Sequence, residues 1–451
     1  MVYDPAKTSL RSFHAAIPDF RSGRSTPRDF LEDCIATFTA REDVLKAFVC
    51  SDWEAARHAA DAATRRYAGD NTLSLIDGFP IGVKDIVETR DFPTQMNSPI
   101  YKGWQPIRDA ACVRALKQAG AIIPGKTVTT EFASGESGPT TNPHDPERTP
   151  GGSSSGSAAS VGAGMLPAGI ATQTRASTIR PASYCGAYGF KPTHRALNLG
   201  GVHPVSATLD HLGTIGASVE DCWLVARHIA ENARGEAGYA PLAGPLAPPD
   251  AIRPSRIAIV YSSGWTEVDE ESAKAFKRAV GLLAEAGVTV ISRAGDGQIS
   301  RFEDAIADAD QLSLDLMGIE IDWPMGAYRD AGGELGPTIR KYLDFAGSVT
   351  AQGYADRLER RRVMIAEMDR IRPHVDAIIS LSASGPAPVG FGYTGSRSMI
   401  STWTLLGAPA WSLPVLTSGG MPLGLQLVGF RGDDARLAGI ARWMADTLTV
   451  T

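Results

Sequence analysis

Residues 150–193 constrain the fold more than any other part of the sequence. They begin with a cluster of glycines and serines (PGGSSSGS), continue through a segment of small residues, and end in a second cluster of Ser, Thr and Arg. Residues 149–174 contain no charged side chain and are interrupted by Pro167, so they indicate a protein interior rather than a membrane span. Two hydroxyl-rich turns joined by a buried connector predict the two halves of one catalytic site.

Strands and helices alternate on both sides of this stretch. Residues 75–87 read as an apolar strand that delivers Lys84 and Asp85 at its end, and residues 256–291 read as a β-α-β unit. The alternation predicts an α/β fold with a large mixed, mostly parallel twisted sheet covered by helices on both faces. The Pro- and Gly-rich segment 231–250 is the best candidate for a boundary within the 451 residues.

Charge and cysteine content exclude several classes of protein. A net charge of -6 argues against nucleic acid or an anionic membrane as the main partner, because both are bound through a surplus of Lys and Arg. The five cysteines are odd in number and lack paired C-x-x-C spacing, which predicts a reduced, cytoplasmic protein without a metal site. The beginning of the sequence has no apolar core of signal-peptide length. The arginine run at 360–362 is expected on the solvated face of a helix.

Two short motifs lack the context that their patterns need. Residues 120–127 read GAIIPGKT and match the P-loop pattern, but a helix precedes them where a strand is required. A helix–strand junction with an exposed lysine is expected there instead. Residues 152–156 read GSSSG and match the nucleophile elbow with Ser154 at its centre. The three prolines just before them exclude the buried strand that an elbow follows, so we expect neither a nucleotide site nor a Ser-His-Asp triad.

A third combination joins Lys84, the serines 153–155 and Ser177. Hydrolysis of an unactivated amide needs a nucleophile, a base that later protonates the departing amine, and donors for the oxyanion. A lysine kept neutral by burial can be the base, and a second serine can carry the proton. Composition alone leaves open a flexible Gly-Ser loop beside a surface lysine. The position of Lys84 at the end of an apolar strand favours the catalytic interpretation.

The text around these residues resembles the amidase signature family. GFPIGVKD contains Lys84, TPGGSSSGSAAS contains Ser153, and TQT is followed by Ser177 and IRPASYCGAYGFKPT. The resemblance covers nearly the whole chain. It implies the amidase signature fold in a single domain, 1–451, with a signature core at 68–230. A more variable part, 251–397, would contribute to the substrate pocket.

The resemblance also implies a role for each polar side chain. Ser177 would be the nucleophile that accepts the acyl group, and Ser153 would be the proton bridge, with a cis peptide bond to Gly152. Lys84 would act as general base and then as general acid. Ser154 would support Lys84 by a hydrogen bond. No metal or organic cofactor is implied.

The segment before the nucleophile departs from the family pattern. The oxyanion hole would be formed by the backbone N–H groups of Thr174, Arg175, Ala176 and Ser177, where family members usually carry two glycines. The Arg175 side chain could point away, crowd the acyl pocket or hold a substrate carboxylate. A positive charge facing Lys84 would further favour the neutral lysine. An impaired or non-catalytic member therefore stays an alternative.

The function predicted from the sequence is a serine amidohydrolase that acts on small linear amides, as a monomer or homodimer. Aryl amides, carbamates (as in a urethanase) and esters are further candidate substrates. A glutaminase subunit of a tRNA-dependent amidotransferase is the alternative, although TQT before the nucleophile favours a stand-alone enzyme. Segments 94–101, 129–137, 314–328 and 386–403 are expected to line the pocket. Their large side chains suggest an apolar or aromatic substrate group: Trp323, Met325, Phe391, Tyr393 and Trp403.

Overall fold

The computed structural model describes residues 3–8 and 10–449, which are built around one eleven-stranded sheet. The strands in chain order are β1 (Phe48–Ser51), β2 (Ile81–Lys84), β3 (Gly125–Thr127), β4 (Ala168–Gln173), β5 (Tyr188–Lys191), β6 (His211–Gly216), β7 (Arg256–Ile259), β8 (Thr289–Ile291), β9 (Ala377–Leu381), β10 (Ala410–Ser418) and β11 (Met421–Val428). They lie side by side in the order β1-β3-β2-β4-β6-β5-β10-β11-β9-β7-β8. Every residue of β2, β4, β6 and β11 is buried. Because successive side chains point to opposite faces, both faces of the sheet must be covered.

Helices provide this cover. They are α1 (Phe13–Ser22), α2 (Pro27–Leu45), α3 (Trp53–Ala68), α4 (Ala111–Gln118), α5 (Ser155–Gly162), α6 (Ile179–Cys185), α7 (Val219–Ala233), α8 (Glu270–Glu285), α9 (Gly297–Ala305), α10 (Ala309–Glu320), α11 (Asp322–Asp330), α12 (Pro337–Ser348), α13 (Ala351–Ile371), α14 (Ser398–Leu405) and α15 (Asp434–Thr449). Short 3₁₀ turns lie at Pro99–Tyr101, Glu131–Ala133 and Ser263–Glu267. The α/β class with a mixed, helix-covered sheet is confirmed.

Parallel pairs are not the majority in this sheet. Four of the ten neighbouring strand pairs are parallel and six are antiparallel. The longest ladder joins β10 and β11. A tight two-residue turn at Gly419 and Gly420 connects these strands, and such a turn reverses the chain direction and so makes the pair antiparallel. The expectation of a mostly parallel sheet is therefore corrected.

The Pro- and Gly-rich segment 231–250 does not separate two sheets. Strand β5 before it pairs with β10 after it, and β7, β8 and β9 continue the same sheet. The segment is itself fixed, because Trp223 Nε1 on α7 donates to the Pro245 and Ala247 carbonyls at 3.1 and 3.2 Å. Residues on its two sides therefore build one core.

The chain ends of the described region lie on one side of this core. The Tyr3 N–H donates to the Gly420 carbonyl at 2.9 Å, and the Tyr3 hydroxyl donates to the Pro414 carbonyl at 3.0 Å. Asp4 and Thr449 line one surface cavity. The first described residues are therefore anchored to the β10–β11 hairpin, close to the end of α15.

Lys126 is buried, although the sequence predicted an exposed lysine at this position. The apolar residues 121–124 predict the strand of this junction, but the strand, β3, begins only at Gly125, and its parallel pairing with β2 takes Lys126 into the sheet. Lys126 Nζ lies 3.1 Å from Asp85 Oδ1 and 2.7 Å from Thr94 Oγ1. The carboxylate at the end of β2 thus compensates the buried charge, although burial still lowers the pKa of Lys126 and raises that of Asp85.

The arginine run on α13 is divided between the surface and the interior. Arg360 and Arg362 form ion pairs with Asp308 and Glu359 at the helix surface. Arg361 instead directs Nε to the Leu405 carbonyl at 2.7 Å and is half-buried. The prediction of a solvated face was wrong for Arg361, because neighbouring helical positions lie about 100° apart around the axis.

Candidate active site

Lys84 is the last residue of β2 and is fully buried. Its Nζ lies 2.7 Å from Ser153 Oγ and 2.7 Å from Thr172 Oγ1 on the neighbouring strand β4. Burial holds the pKa of Lys84 well below its usual range, and the Asp210 carboxylate opposes this shift. A neutral amine is the form in which lysine can accept a proton.

Ser153 lies in the turn that leads into α5. The peptide bond between Gly152 and Ser153 is cis, as the resemblance implied. The Gly152 carbonyl accepts a hydrogen bond of 2.6 Å from Arg180 Nη2. A side chain at Gly152 would have its Cβ about 3.0 Å from Thr130 and Thr394, so only glycine fits without movement of these neighbours. The fold therefore holds the Ser153 hydroxyl against the lysine.

Ser177 lies in the turn between β4 and α6 and is half-buried. It lines the same small cavity as Ser153. Its carbonyl accepts from the Ser154 N–H at 3.4 Å, which connects the two hydroxyl-rich turns. Within residues 3–8 and 10–449, no hydrogen-bond partner engages the Ser177 hydroxyl. The structure thus brings Lys84, Ser153 and Ser177 together.

The turn around Ser177 is fixed by side chains to which sequence reasoning gave no role. Gln173 Oε1 accepts from the N–H groups of Thr178 and Ile179 at 2.9 and 3.0 Å. Gln173 Nε2 donates to Thr404 Oγ1 at 2.9 Å, and Thr404 Oγ1 donates to the Arg175 carbonyl at 2.7 Å. No local sequence pattern indicates the Gln173–Thr404 contact, because it joins residues 231 positions apart.

Four residues of this turn were expected to supply backbone donors. In the described chain, the N–H groups of Arg175, Ala176 and Ser177 have no acceptor. The Thr174 hydroxyl donates to Asp210 Oδ1 at 2.6 Å. The turn can therefore present several N–H groups to a bound oxygen atom.

Ser154 contacts a different partner from the one predicted. Its hydroxyl lies 3.4 Å from both the backbone carbonyl oxygen and the backbone nitrogen of Thr172. Lys84 is instead held by the Thr172 side chain. The predicted hydrogen bond from Ser154 to Lys84 is therefore wrong, because the Ser154 side chain, at the N-cap position of α5, contacts the backbone of β4 instead.

Arg175 does not point away from the site. It is 6% exposed and lines the cavity beside Ser177. Its Nη2 lies 2.5 Å from Asp310 Oδ1 on α10 and 3.3 Å from the Asp310 carbonyl. The charge that acts on Lys84 is that of Asp210, and not that of Arg175. The Arg175 charge is paired with Asp310, so the condition under which it would favour the neutral lysine is not met.

The cavity that contains both serines is small and cationic. Its volume of about 20 Å³ is close to the space that one water molecule needs. Its lining residues are Thr130, Ala133, Ser134, Gly135, Ser153, Thr174, Arg175, Ser177, Arg180, Met317, Thr394 and Arg397. Three of the four predicted pocket segments contribute, and segment 94–101 does not. None of the five large side chains predicted to shape the pocket lines it, so the apolar pocket is corrected to a polar one.

The described residues show neither a metal-binding cluster nor a spanning helix. No group of three or more His, Cys, Asp or Glu side chains among them could hold a metal ion. No helix among them has both the length and the apolar character needed to cross a membrane.

Comparison with known proteins identifies relatives over the whole length. The family model described as Amidase matches residues 29–438. The A subunit of the glutamyl-tRNA(Gln) amidotransferase of Chloroflexus aggregans is 30% identical, with 94% of this chain and 93% of that protein covered. A crystal structure of an amidase is 27% identical, with a TM-score of 0.82 and coverage of 97% of this chain and 100% of the other. A structure from a vestigial protein complex, reported to reveal the evolutionary origins of an s-triazine catabolic enzyme, is 25% identical over 97% of this chain and 98% of that one, with a TM-score of 0.84.

Proposed function

The chain belongs to the amidase family of hydrolases that act on C–N bonds, and on this premise we propose that it hydrolyses carboxylic amides through an acyl-enzyme on Ser177. The observation that supports this most directly is the contact of a buried lysine with Ser153 in the cavity that Ser177 lines. Carbamates, aryl amides and esters are further candidate substrates, because they form acyl-enzymes by the same attack.

In the first step, Ser177 Oγ attacks the amide carbon and its proton passes through Ser153 Oγ to the neutral Lys84 Nζ. The C–N bond then breaks, and the lysine returns the proton through Ser153 to the departing amine. Water then attacks the acyl-enzyme, and its proton passes through Ser153 to Lys84 in the same way. The acid is released when the proton returns to Ser177 Oγ. The burial of Lys84 and its 2.7 Å distance to Ser153 support these roles.

The negative oxygen formed in each step needs donors that are already in place. We assign this role to the N–H groups of the turn 174–177. This assignment is supported by the N–H groups of Arg175, Ala176 and Ser177, which donate to no acceptor within the described chain. The bonds from Gln173 and Thr404 hold the turn still before substrate arrives.

We also propose that the chain works as one domain, 1–451. The catalytic side chains come from the core, 68–230, and the part 251–397 completes the pocket. Met317, Thr394 and Arg397 of the second part line the cavity beside Ser153 and Ser177, which supports this division of labour.

A second candidate function is that of a glutaminase subunit in an amidotransferase complex. It is favoured by the similarity to the A subunit of the glutamyl-tRNA(Gln) amidotransferase of Chloroflexus aggregans. Hydrolysis of glutamine that depends on a co-purified partner protein would support this candidate. Turnover of small amides by the isolated chain would support the stand-alone enzyme.

Labelling and turnover test the proposed chemistry together. A serine-directed phosphonate should label the wild-type protein at Ser177, and Ser177→Ala should abolish both labelling and amide turnover. Lys84→Ala should reduce turnover by several orders of magnitude, because base and leaving-group acid are lost together. Ser348→Ala, which changes an exposed serine at the end of α12, is the matched control. Persistent turnover in Ser177→Ala would refute the acyl-enzyme.

A further inference from the structure

We propose that the acyl group of the substrate carries a carboxylate in addition to the amide that is cleaved, and that this carboxylate binds Arg397 and replaces Asp310 as the partner of Arg175. The preferred substrates are then monoamides of short dicarboxylic acids. This inference rests on the proposed function, since it specifies the substrate class of the same site.

The active-site cavity carries three guanidinium groups and no carboxylate among its lining residues. These groups belong to Arg175, Arg180 and Arg397. Burial, reinforced by the neighbouring positive charges, lowers the pKa of Arg180 to about 9. Like charges gathered in a poorly solvated cavity favour the binding of an anion.

Arg180 already has its hydrogen-bond partners. Its Nη1 donates to the Gly395 carbonyl at 2.6 Å, and its Nη2 donates to the Gly152 carbonyl and to Thr394 Oγ1. All of these are neutral acceptors within the protein. Arg180 therefore positions the turn before Ser153 and contributes positive charge, but its Nη groups are already occupied.

Arg397 is the cation of the cavity that is available to a ligand. It immediately precedes α14 and is half-buried. Within residues 3–8 and 10–449, its guanidinium forms neither a hydrogen bond nor an ion pair. An arginine offers several donors in a planar fork that matches a carboxylate, so a substrate carboxylate would satisfy this group.

Arg175 can change partners without leaving a buried charge uncompensated. Its present partner, the Asp310 carboxylate, is 32% exposed and can be hydrated when released. Because the cavity holds only about 20 Å³, any substrate larger than water must displace a side chain. Exchange of Asp310 for a substrate carboxylate allows the Arg175 side chain, which lines the cavity, to move while it stays paired.

The positions of Ser153 and Arg175 place this carboxylate on the acyl side of the amide rather than on the amine side. The departing amine must face Ser153, which returns the proton, whereas Arg175 belongs to the turn that receives the carbonyl oxygen. A free ammonium on the acyl group would meet the arginines with like charge. Glutaramate, which is glutamine without its amino group, should therefore be a better substrate than glutamine.

The test uses matched pairs of substrates with the full-length protein. The monoamides of malonic, succinic and glutaric acid are compared with propionamide, butyramide and pentanamide, in which a methyl group replaces the carboxylate. We expect at least one acid to exceed its neutral partner about tenfold or more in kcat/KM, which corresponds to about 1.4 kcal/mol. Ammonia release gives the rates.

Variants separate specificity from folding. Arg397→Gln should remove most of the preference, because it lowers kcat/KM for the acids by a much larger factor than kcat/KM for their neutral partners. Arg175→Gly should also reduce the preference and raise turnover of neutral amides, because it widens the cavity. Arg278→Gln, with the same loss of charge on the exposed side of α8, should leave the preference unchanged.

Several results would overturn the inference. Equal rates for acids and neutral amides would do so, as would a parallel loss of both in Arg397→Gln. A preference for N-acetylglycine, whose carboxylate lies on the amine side and whose hydrolysis is followed by release of glycine, would also overturn it. In each case Ser177-dependent turnover would leave the proposed function intact. If no amide is hydrolysed and Ser177 is not labelled, the proposed function fails and this inference fails with it.

Discussion

At the scale of single residues, a charge balance governs the candidate catalytic lysine. Within the described chain, Lys84 is surrounded by protein and its Nζ contacts only hydroxyl groups at hydrogen-bond distance, which favours the neutral amine. The Asp210 carboxylate acts in the opposite direction and raises the pKa of Lys84, but burial raises the pKa of Asp210 itself to about 6. Hydrogen bonds from Thr174 Oγ1 and from the N–H groups of Val205 and Ser206 occupy this carboxylate. The protein therefore keeps an acid near the base without a direct ion pair.

The acidic limb of the pH–activity profile should depend on Asp210. In the proposed mechanism the active form has a neutral lysine, so kcat/KM should fall as the pH falls through the pKa of Lys84. Asp210→Asn removes the carboxylate that raises this pKa, so the limb should move to lower pH. The profile of kcat/KM against pH measures the shift, and a limb that moves upward would contradict this electrostatic account.

The same lysine should give the folding stability a characteristic pH dependence. The unfolded lysine keeps its proton up to about the ordinary pKa of 10.5, whereas the folded one has lost it well below that value. Between these two pKa values folding therefore releases a proton from Lys84. The free energy that this deprotonation takes from the folding stability decreases as the pH rises. Lys84→Met has no such cost, so the stability of the wild type relative to this variant should increase from pH 7 toward pH 10. Urea unfolding at several pH values measures the difference, and parallel curves would show that Lys84 is charged in the folded state.

At the scale of secondary-structure elements, helices and strands followed from the sequence more readily than the polar contacts did. Thr26 and Pro27 predict the start of α2, and the Thr26 hydroxyl indeed accepts from the Asp29 N–H at 3.0 Å. The strand expected at 121–124 was misplaced because the apolar residues just before β3 make only an isolated bridge, between Pro80 and Ile122. The contact of Gln173 with Thr404 depends on how distant elements meet, which no local pattern encodes.

The junction of β2 and β3 contains a buried ion pair whose loss should destabilise the fold. Asp85→Asn leaves the buried Lys126 charge uncompensated, which costs about 3–5 kcal/mol. The double variant Asp85→Asn with Lys126→Met should recover a large part of this loss, because the unpaired charge is removed. Urea unfolding gives the free energies.

The matched control for this pair lies at the surface. Asp91→Asn breaks the contact with Lys117, in which the aspartate side chain is 50% exposed, and should cost less than about 1 kcal/mol. A small effect of Asp85→Asn, similar to that of the control, would mean that solvent reaches Lys126.

At the scale of the whole molecule, one sheet connects parts of the sequence that composition seemed to separate. The alternation of strands and helices correctly predicted an α/β fold with a large mixed sheet. The strand order could not be predicted, because β5 pairs on one side with the next strand in sequence, β6, and on the other side with β10 from the opposite half of the chain. The cationic cavity was missed for a related reason. Arg180 and Arg397 lie in separate segments, and only the assembled fold brings them to Ser177.

The anchoring of Tyr3 on the β10–β11 hairpin predicts that the chain tolerates circular permutation. Asp4 and Thr449 line the same cavity, so a short linker can join them. The turn at Gly238 and Tyr239 is exposed, so new chain termini can be placed there. A circular permutant that starts at Tyr239, ends at Gly238 and joins Thr449 to Tyr3 by a short Gly-Ser linker cuts no strand pairing. It should fold with the same circular dichroism spectrum and keep its phosphonate labelling at Ser177. Aggregation of the permutant, beside a soluble parent that carries the same linker at its end, would show that the original chain order is itself required for folding.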